Sequence, residues 1–259
     1  INLLLMKYTL LCNSINSIQK VLPPSMSSII SLENITKRFG YRCILSDISF
    51  SVKTGEFIML IGNNGAGKST LLRIISTLSK PTNGIITFNG TNKKESLREW
   101  RQKIGIISHE NRLYGDLNSE DNLRVFGTLY GVEDLKSNTD QVLRKTDLFH
   151  VARLPVSNFS SGMKKRLMIA RLMLCKPKIL ILDEPFTGLD QHSKKLFQNY
   201  LTEFHQQGGT VIMVTHQLDL GLKLATRVLV LHQKRIQQDN SVSEISIDQC
   251  FNWLDNNEI

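Results

Sequence analysis

Gly62-Asn63-Asn64-Gly65-Ala66-Gly67-Lys68-Ser69 is the stretch whose reading decides the fold. It fits the pattern G-x-x-x-x-G-K-[ST], and its surroundings give the pattern meaning. The run 56–61 before it reads as a buried strand. After it, Leu71, Leu72, Ile74, Ile75 and Leu78 recur at helical spacing over 69–79, and Pro81 stops the helix. Strand, glycine-containing loop and helix in that order form a phosphate cradle. Small residues let the backbone curl until several N–H groups point at one phosphate. The helix adds its positive N-terminal end. Lys68 places a full charge between β- and γ-phosphates, and the Ser69 hydroxyl is a candidate Mg²⁺ ligand. Thr70, the next first-turn residue, completes the candidate nucleotide-binding stretch.

Working outward, strand and helix signals alternate. Strands are expected at 29–35 and 44–52, separated by the turn-like Phe39-Gly40-Tyr41. Asn83-Gly84 and Asn89-Gly90 bracket a strand at 85–88. A charged helix at 95–103 and a short strand at 104–107 follow. The region 108–177 reads as mostly helical, with helices near 119–130, 139–149 and 162–175. Strand–helix alternation then returns: strands 178–182, 210–214 and 227–231, helices 191–206 and 217–225. This predicts a parallel α/β core interrupted by a helical lobe. From about 236 the chain is polar with weak pattern.

The 259 residues are enough for one domain with a buried core and too few for two nucleotide-hydrolysing domains. Apolar residues at 41% and charged residues at 21% are ordinary for a globular chain, which sets disorder aside. The net charge of +9 permits nucleic acid, an anionic membrane face or phosphorylated ligands as partners. The basic residues are spread out, however, with no run longer than Lys164-Lys165-Arg166, so nucleic acid is not expected. Cys12, Cys43, Cys175 and Cys250 form no CxxC pair, which fits a reducing compartment. No stretch approaches the roughly 18 apolar residues that cross a bilayer. Any transport role therefore needs another polypeptide as the channel. Residues 1–28 read as an extension outside the domain; for 1–25 three readings compete, a targeting segment, a fragment edge, or untranslated sequence before a start at Met26, the last being favoured.

A second site lies downstream. The apolar run 179–182 ends in Asp183-Glu184. A buried strand ends in adjacent carboxylates at a cost unless each has a partner. Beside a phosphate loop, the first acid is expected to hold the Mg²⁺ shell, directly or through water. The second accepts a proton from the attacking water or orients it.

Three further segments resemble the ABC ATPase family, over nearly all of 29–235. Phe159-Ser160-Ser161-Gly162-Met163 resembles its Leu-Ser-Gly-Gly-Gln signature, directly before a long helix. The resemblance implies that Ser160 and the N–H groups near Gly162 face the γ-phosphate of ATP held by the opposite subunit. Phe159, Ser161 and Met163 depart from the signature, and Met163 removes a polar contact. A plain serine-capped helix start is the structural alternative. Pro185-Phe186-Thr187-Gly188-Leu189-Asp190 resembles the D-loop that couples the two sites, with Asp190 its key polar residue. His216 stands where the family's histidine touches the γ-phosphate and positions the water. Phe39 stands where an aromatic ring stacks on adenine, with Tyr41 a competitor. His109 stands where the family usually has glutamine, in the loop that meets Mg²⁺ or water and relays motion to the membrane partner. Protonated imidazole would repel Mg²⁺, which leaves coupling as its expected role.

The resemblance implies a phosphate-loop NTPase of the ABC nucleotide-binding type over 29–240. It would have a RecA-like parallel core, an N-terminal antiparallel β subdomain, an inserted helical lobe at 108–177 and a polar tail at 241–259. It implies ATP and Mg²⁺ as cofactors and Glu184, His216 and Lys68 as catalytic residues, with Ser69 and Asp183 on the metal. The expected partners are a second copy across the ATP sites and an integral-membrane permease. The expected location is the cytoplasmic face of the inner membrane, or the matrix side if organelle-encoded. Ser108-His109, 120–124, 129–132, 183–190 and 215–222 further resemble the ATP-binding subunit of the cytochrome c maturation haem exporters, which would account for His109. Drug, lipid or polysaccharide exporters share much of this pattern. A soluble ABC ATPase on ribosomes or DNA is disfavoured, because such chains usually join two ATPase halves or insert a long coiled coil. A phosphate-loop kinase is disfavoured by the signature and D-loop segments.

Overall fold

The computed structural model of the chain describes residues 28–92, 94–108 and 113–255. The expected extension 1–28 lies outside these residues except for Ser28, which opens the first strand. β1 (Ser28–Phe39) and β2 (Arg42–Lys53) form a hairpin around Gly40-Tyr41. β3 (Phe57–Ile61) enters the core with every residue buried. α1 (Lys68–Ile75) follows the loop, and β4 (Asn83–Phe88) returns to pair with β1. The small sheet is antiparallel in the order β2-β1-β4. α2 (Lys94–Lys103) lays Trp100 against Phe88, with ring centroids 4.3 Å apart.

The larger sheet is built from β3, β5 (Ile104–Ile107), β6 (Ile179–Asp183), β7 (Thr210–Val214), β8 (Arg227–His232) and β9 (Arg235–Ser241). Its order is β5-β6-β7-β3-β8-β9, parallel throughout except for β9. β3, β6 and β7 are buried along their whole length, as parallel strands covered on both faces must be. One face packs with α1 and the small sheet, through Leu60, Leu71, Ile75, Ile181 and Ile212. The other packs α5 (Ser161–Cys175) and α6 (Gln191–Gln206), through Met168, Leu172, Phe197 and Leu201.

The helical lobe consists of α3 (Ser119–Leu129), α4 (Leu135–Lys145) and α5, closed over Leu123, Val142, Leu143, Leu167 and Leu174. Asn118 caps α3 by accepting from the Asp121 backbone N–H. Asn122, fully buried, ties the preceding loop to the helix. Its side chain accepts from Tyr114 N at 2.8 Å and donates to the carbonyls of Tyr114, Leu117 and Asn118. Arg171 on α5 donates to the Ile106 carbonyl at 2.9 Å, fastening the lobe to β5.

Three elements differ from the sequence reading. The helix expected over 69–79 ends at Ile75, because Thr77 takes a positive φ of 60° and Leu78 and Ser79 bond back to Arg73 O. Leu78 keeps the apolar rhythm after the chain has left the helix. The helix expected at 139–149 is α4, shifted toward the N-terminus. It stops where Thr146 folds its hydroxyl onto the Val142 carbonyl and Asp147 turns left-handed. The weakly patterned tail is folded. Gln233 and Lys234 both have positive φ and form a two-residue hairpin turn that brings β9 back along β8. α7 (Leu218–Leu224) and α8 (Ile247–Asp255) then cover this end of the sheet, with Cys250 fully buried against a cluster containing Leu218, Val228 and Val230.

Asn122→Ala should lower the unfolding free energy by about 3 kcal/mol, since it strands several buried backbone groups at once. Urea unfolding checks this. A loss below about 1 kcal/mol would show that the loop finds other partners.

Candidate nucleotide site

The site lies at the carboxyl ends of three neighbouring strands. Val214 on β7 is paired with Leu60 on β3 and with Asp183 on β6. The register therefore brings Gly62, Glu184 and His216, each just past its strand end, to the same edge of the sheet. In open α/β sheets that edge is where ligands bind.

The loop after β3 has a path that side chains would block. Gly62 has φ 155°, and a Cβ there would stand 2.2 Å from the Leu231 carbonyl oxygen. Gly67 has φ 107°, and its Cβ would meet Leu45 Cδ2 at 2.8 Å. Ala66 N–H closes a turn on Asn63 O at 3.1 Å. Lys68, the first residue of α1, is buried and curls over the loop, donating to Gly62 O at 2.6 Å and Asn63 O at 3.0 Å. Burial lowers its pKa, and the negative charges of Glu184 and Asp183 oppose that shift. Ser69 is exposed at the start of the helix, beside Thr70. Asn64 and Gly65 are also exposed, at the crest of the loop.

Asp183 is buried at the end of β6. Glu184 follows with a left-handed backbone, φ 49°. Its Oε2 accepts weakly from the His216 backbone N–H at 3.4 Å, and its Oε1 lies 3.6 Å from His216 Nε2. Buried Oε1 has no hydrogen-bond partner within the protein, and such a group calls for a ligand or water. Two hard oxygen donors belong to the lysine's surroundings: the Ser69 hydroxyl on the next residue and the Asp183 carboxylate, whose charge acts on Lys68. That donor set fits Mg²⁺, which takes one or two protein oxygens and completes its shell with phosphate and water.

Ser160 does cap α5, accepting from Met163 N–H at 3.2 Å. The structural alternative and the functional reading coexist, since a hydroxyl that accepts one bond still has a proton to donate. Gly162 packs beneath the Gly188 carbonyl, which a Cβ would meet at 3.1 Å. Asp190 caps α6 by accepting from Ser193 N at 2.7 Å, and this bond chiefly lowers its carboxyl pKa. Part of its polar capacity therefore serves the fold. Phe39 is 58% exposed, with Lys37 Nζ 4.8 Å from the ring centroid, and Tyr41 is fully exposed, so both candidate adenine platforms face solvent. His109 lies outside the described residues.

One residue escaped the sequence reading. By sequence Lys165 reads only as part of the basic run 164–166. The structure buries it, with Nζ donating to the Glu184 carbonyl at 2.8 Å. Its signal was available: 165, 168, 169 and 172 form one face of α5, and the other three are Met, Ile and Leu.

This is the fold and site of a phosphate-loop ATPase with an inserted helical lobe. Residues 45–187 match the family described as ABC transporter. The chain is 35% identical over 208 residues to Nod factor export ATP-binding protein I of Rhizobium johnstonii, covering 80% of this chain and 67% of that protein. It is 34% identical over 230 residues to the lantibiotic transport ATP-binding protein SrtF of Streptococcus pyogenes, covering 86% and 96%. A solved dimeric bacterial ABC transporter cassette superposes with TM-score 0.73 at 25% identity, over 82% of this chain and 98% of that one. The chain belongs to the ABC transporter ATP-binding family. ATP is its nucleotide, and ATP hydrolysis is the activity its domain implies. These relatives are named for Nod factor and lantibiotic, so they do not carry the narrower resemblance to haem exporters.

Gly62→Ala should weaken ATP binding about tenfold or more, because the loop must move off Leu231. Titration with a fluorescent ATP analogue checks this; unchanged affinity would mean that the loop's path does not set phosphate binding.

Proposed function

We propose that this chain is the ATP-hydrolysing subunit of a membrane exporter, working as a head-to-tail pair with ATP at the interface. The observation that carries this is the gathering of Lys68, Asp183, Glu184 and His216 at one strand edge, in a chain whose Ser160-capped helix α5 reaches that edge through Lys165. Lys68 and the loop N–H groups would hold the β- and γ-phosphates, with Phe39 or Tyr41 against adenine. Ser69 and Asp183 would hold Mg²⁺, which when bound neutralises charge on the phosphate oxygens. Ser160 and Gly162 would meet the γ-phosphate held by the other copy, and Asp190 would lie near that contact.

Hydrolysis then follows from position and charge. Glu184 orients a water at its unpartnered Oε1 and takes up the proton as the water oxygen bonds to the γ-phosphorus. His216 touches the γ-phosphate and steadies the carboxylate. The bond to the bridging oxygen breaks, ADP keeps that oxygen, and the pair loses the phosphate that both halves gripped. Opening and closing would be relayed to a multispanning permease through the loop containing His109. Asn122 anchors the far side of that loop and Arg171 secures the strand before it.

Among the described residues no helix is long and apolar enough to cross a membrane; in this reading the chain works beside a separate permease, on the inner membrane's cytoplasmic face or on its matrix side in an organelle. The exporter relatives support export in general. Haem as cargo rests only on the resemblance at Ser108-His109 and the segments quoted with it.

Glu184→Gln should bind ATP, hydrolyse at least about a hundredfold more slowly, and run as a dimer in ATP on size exclusion. A monomer at saturating ATP would contradict the clamp. A tagged chain purified from membranes should bring a multispanning permease. Recovery with ribosomes or DNA alone would sink the exporter reading, and a permease complex without a haem-binding component would sink haem as cargo.

A further inference from the structure

We infer that Lys165 is a positioning residue for hydrolysis: from the helix that begins at the signature-like segment, it holds the backbone of Glu184 in the geometry the attacking water needs. This rests on the proposed role of Glu184.

The bond joins two parts of the chain 19 residues apart, Lys165 Nζ to Glu184 O at 2.8 Å. The carbonyl it grips is unusual. It belongs to the peptide between Glu184 and Pro185, and proline brings no N–H. That peptide can be held only through its oxygen. Thr187 N–H also reaches the oxygen, at a longer 3.4 Å. On the other side, Glu184 N–H is fixed to Val214 O at 2.9 Å. The residue before a proline is steered toward extended backbone, yet Glu184 has φ 49°. A carboxylate on a left-handed residue before proline keeps its direction only if the flanking peptides are pinned. Val214 pins one and Lys165 the other.

Lys165 is only 9% exposed. Burial lowers its pKa, and the nearby charges of Glu184 and Asp183 work against that. The acid pair is thus faced by Lys68 from the phosphate loop and Lys165 from α5. The two lysines differ in what they grip: Lys68 donates to the loop, Lys165 to the catalytic segment.

The same helix touches that segment again where Gly162 packs under Gly188 O. Ser160, at the cap of α5, would serve the ATP of the other subunit, while Lys165, about 7 Å along the helix, serves this subunit's own Glu184. One helix would therefore align a signature for one site and a carboxylate for the other.

Lys165→Met and Lys165→Leu keep an apolar stem and remove the donor; Lys165→Arg restores a long cationic donor. All are compared with Glu184→Gln in the full-length chain for ATPase kcat, KM, ATP affinity and Tm. The expected result is a fall in kcat of about tenfold or more in the Met and Leu variants, with KM, ATP affinity and Tm near wild type, and recovery in Lys165→Arg. Unchanged kcat would overturn the inference. So would a loss that arginine does not rescue, or one that follows falling Tm and ATP affinity in both apolar variants. If Glu184→Gln abolishes hydrolysis while the apolar variants are silent, this inference alone fails. If Glu184→Gln hydrolyses ATP normally, the reading of Glu184 fails with it.

Discussion

Val214 holds Leu60 on one side and Asp183 on the other, and the chemistry of the molecule hangs on that pairing. Parallel strands in register end together. Their C-terminal residues then release three loops at one level: the phosphate loop, the acid pair and the histidine. A slip of one residue in β6 would turn Asp183 to the opposite face and move Glu184 off His216. β3, β6 and β7 are buried along their whole length between two layers, so a slip would also unseat close-packed side chains on both faces.

At this edge the protein concentrates charge it cannot leave to water. Asp183 and Glu184 sit beside Lys68 and Lys165, all four shielded to a large degree. Each lysine donates to main-chain carbonyls. The ammonium groups are therefore fixed in place rather than folded onto the carboxylates, and the acids keep lone pairs for other work. Glu184 Oε1 is the visible sign of this, buried and without a hydrogen-bond partner in the protein, with His216 Nε2 3.6 Å away. A polar group left in that condition is tolerated where a ligand or water completes it.

The lobe inserted between β5 and β6 is fastened to the core at few polar points. Arg171 and the Tyr130 hydroxyl meet the β5 backbone and Lys165 meets Glu184, while Asn122 gathers the loop that leads into α3. Apolar packing of α5, which faces both the lobe and the sheet, adds to these bonds. α5 is thus shared by two cores, and any shift of the lobe must be felt at the strand edge.

Much of this was legible in the chain itself. The phosphate loop, the acids after an apolar strand, the serine before α5 and the antiparallel hairpin at the N-terminal side are local patterns, and local physics decides them. Even α8 left a mark: Ser246 and Gln249 exchange backbone and side-chain hydrogen bonds as a capping box, three residues apart. The turn at Gln233-Lys234 left none, since neither residue is a habitual left-handed former, and the pairing of β9 with β8 imposes the conformation. The burial of Lys165 and the left-handed turn of Glu184 were likewise beyond local reading. Both arise from contact between segments far apart in sequence, where packing outweighs the preference of the residue. Sequence by itself nominates the groups that could do the chemistry. Only the tertiary structure decided which of them share an edge, because strand register, not residue type, brings them together.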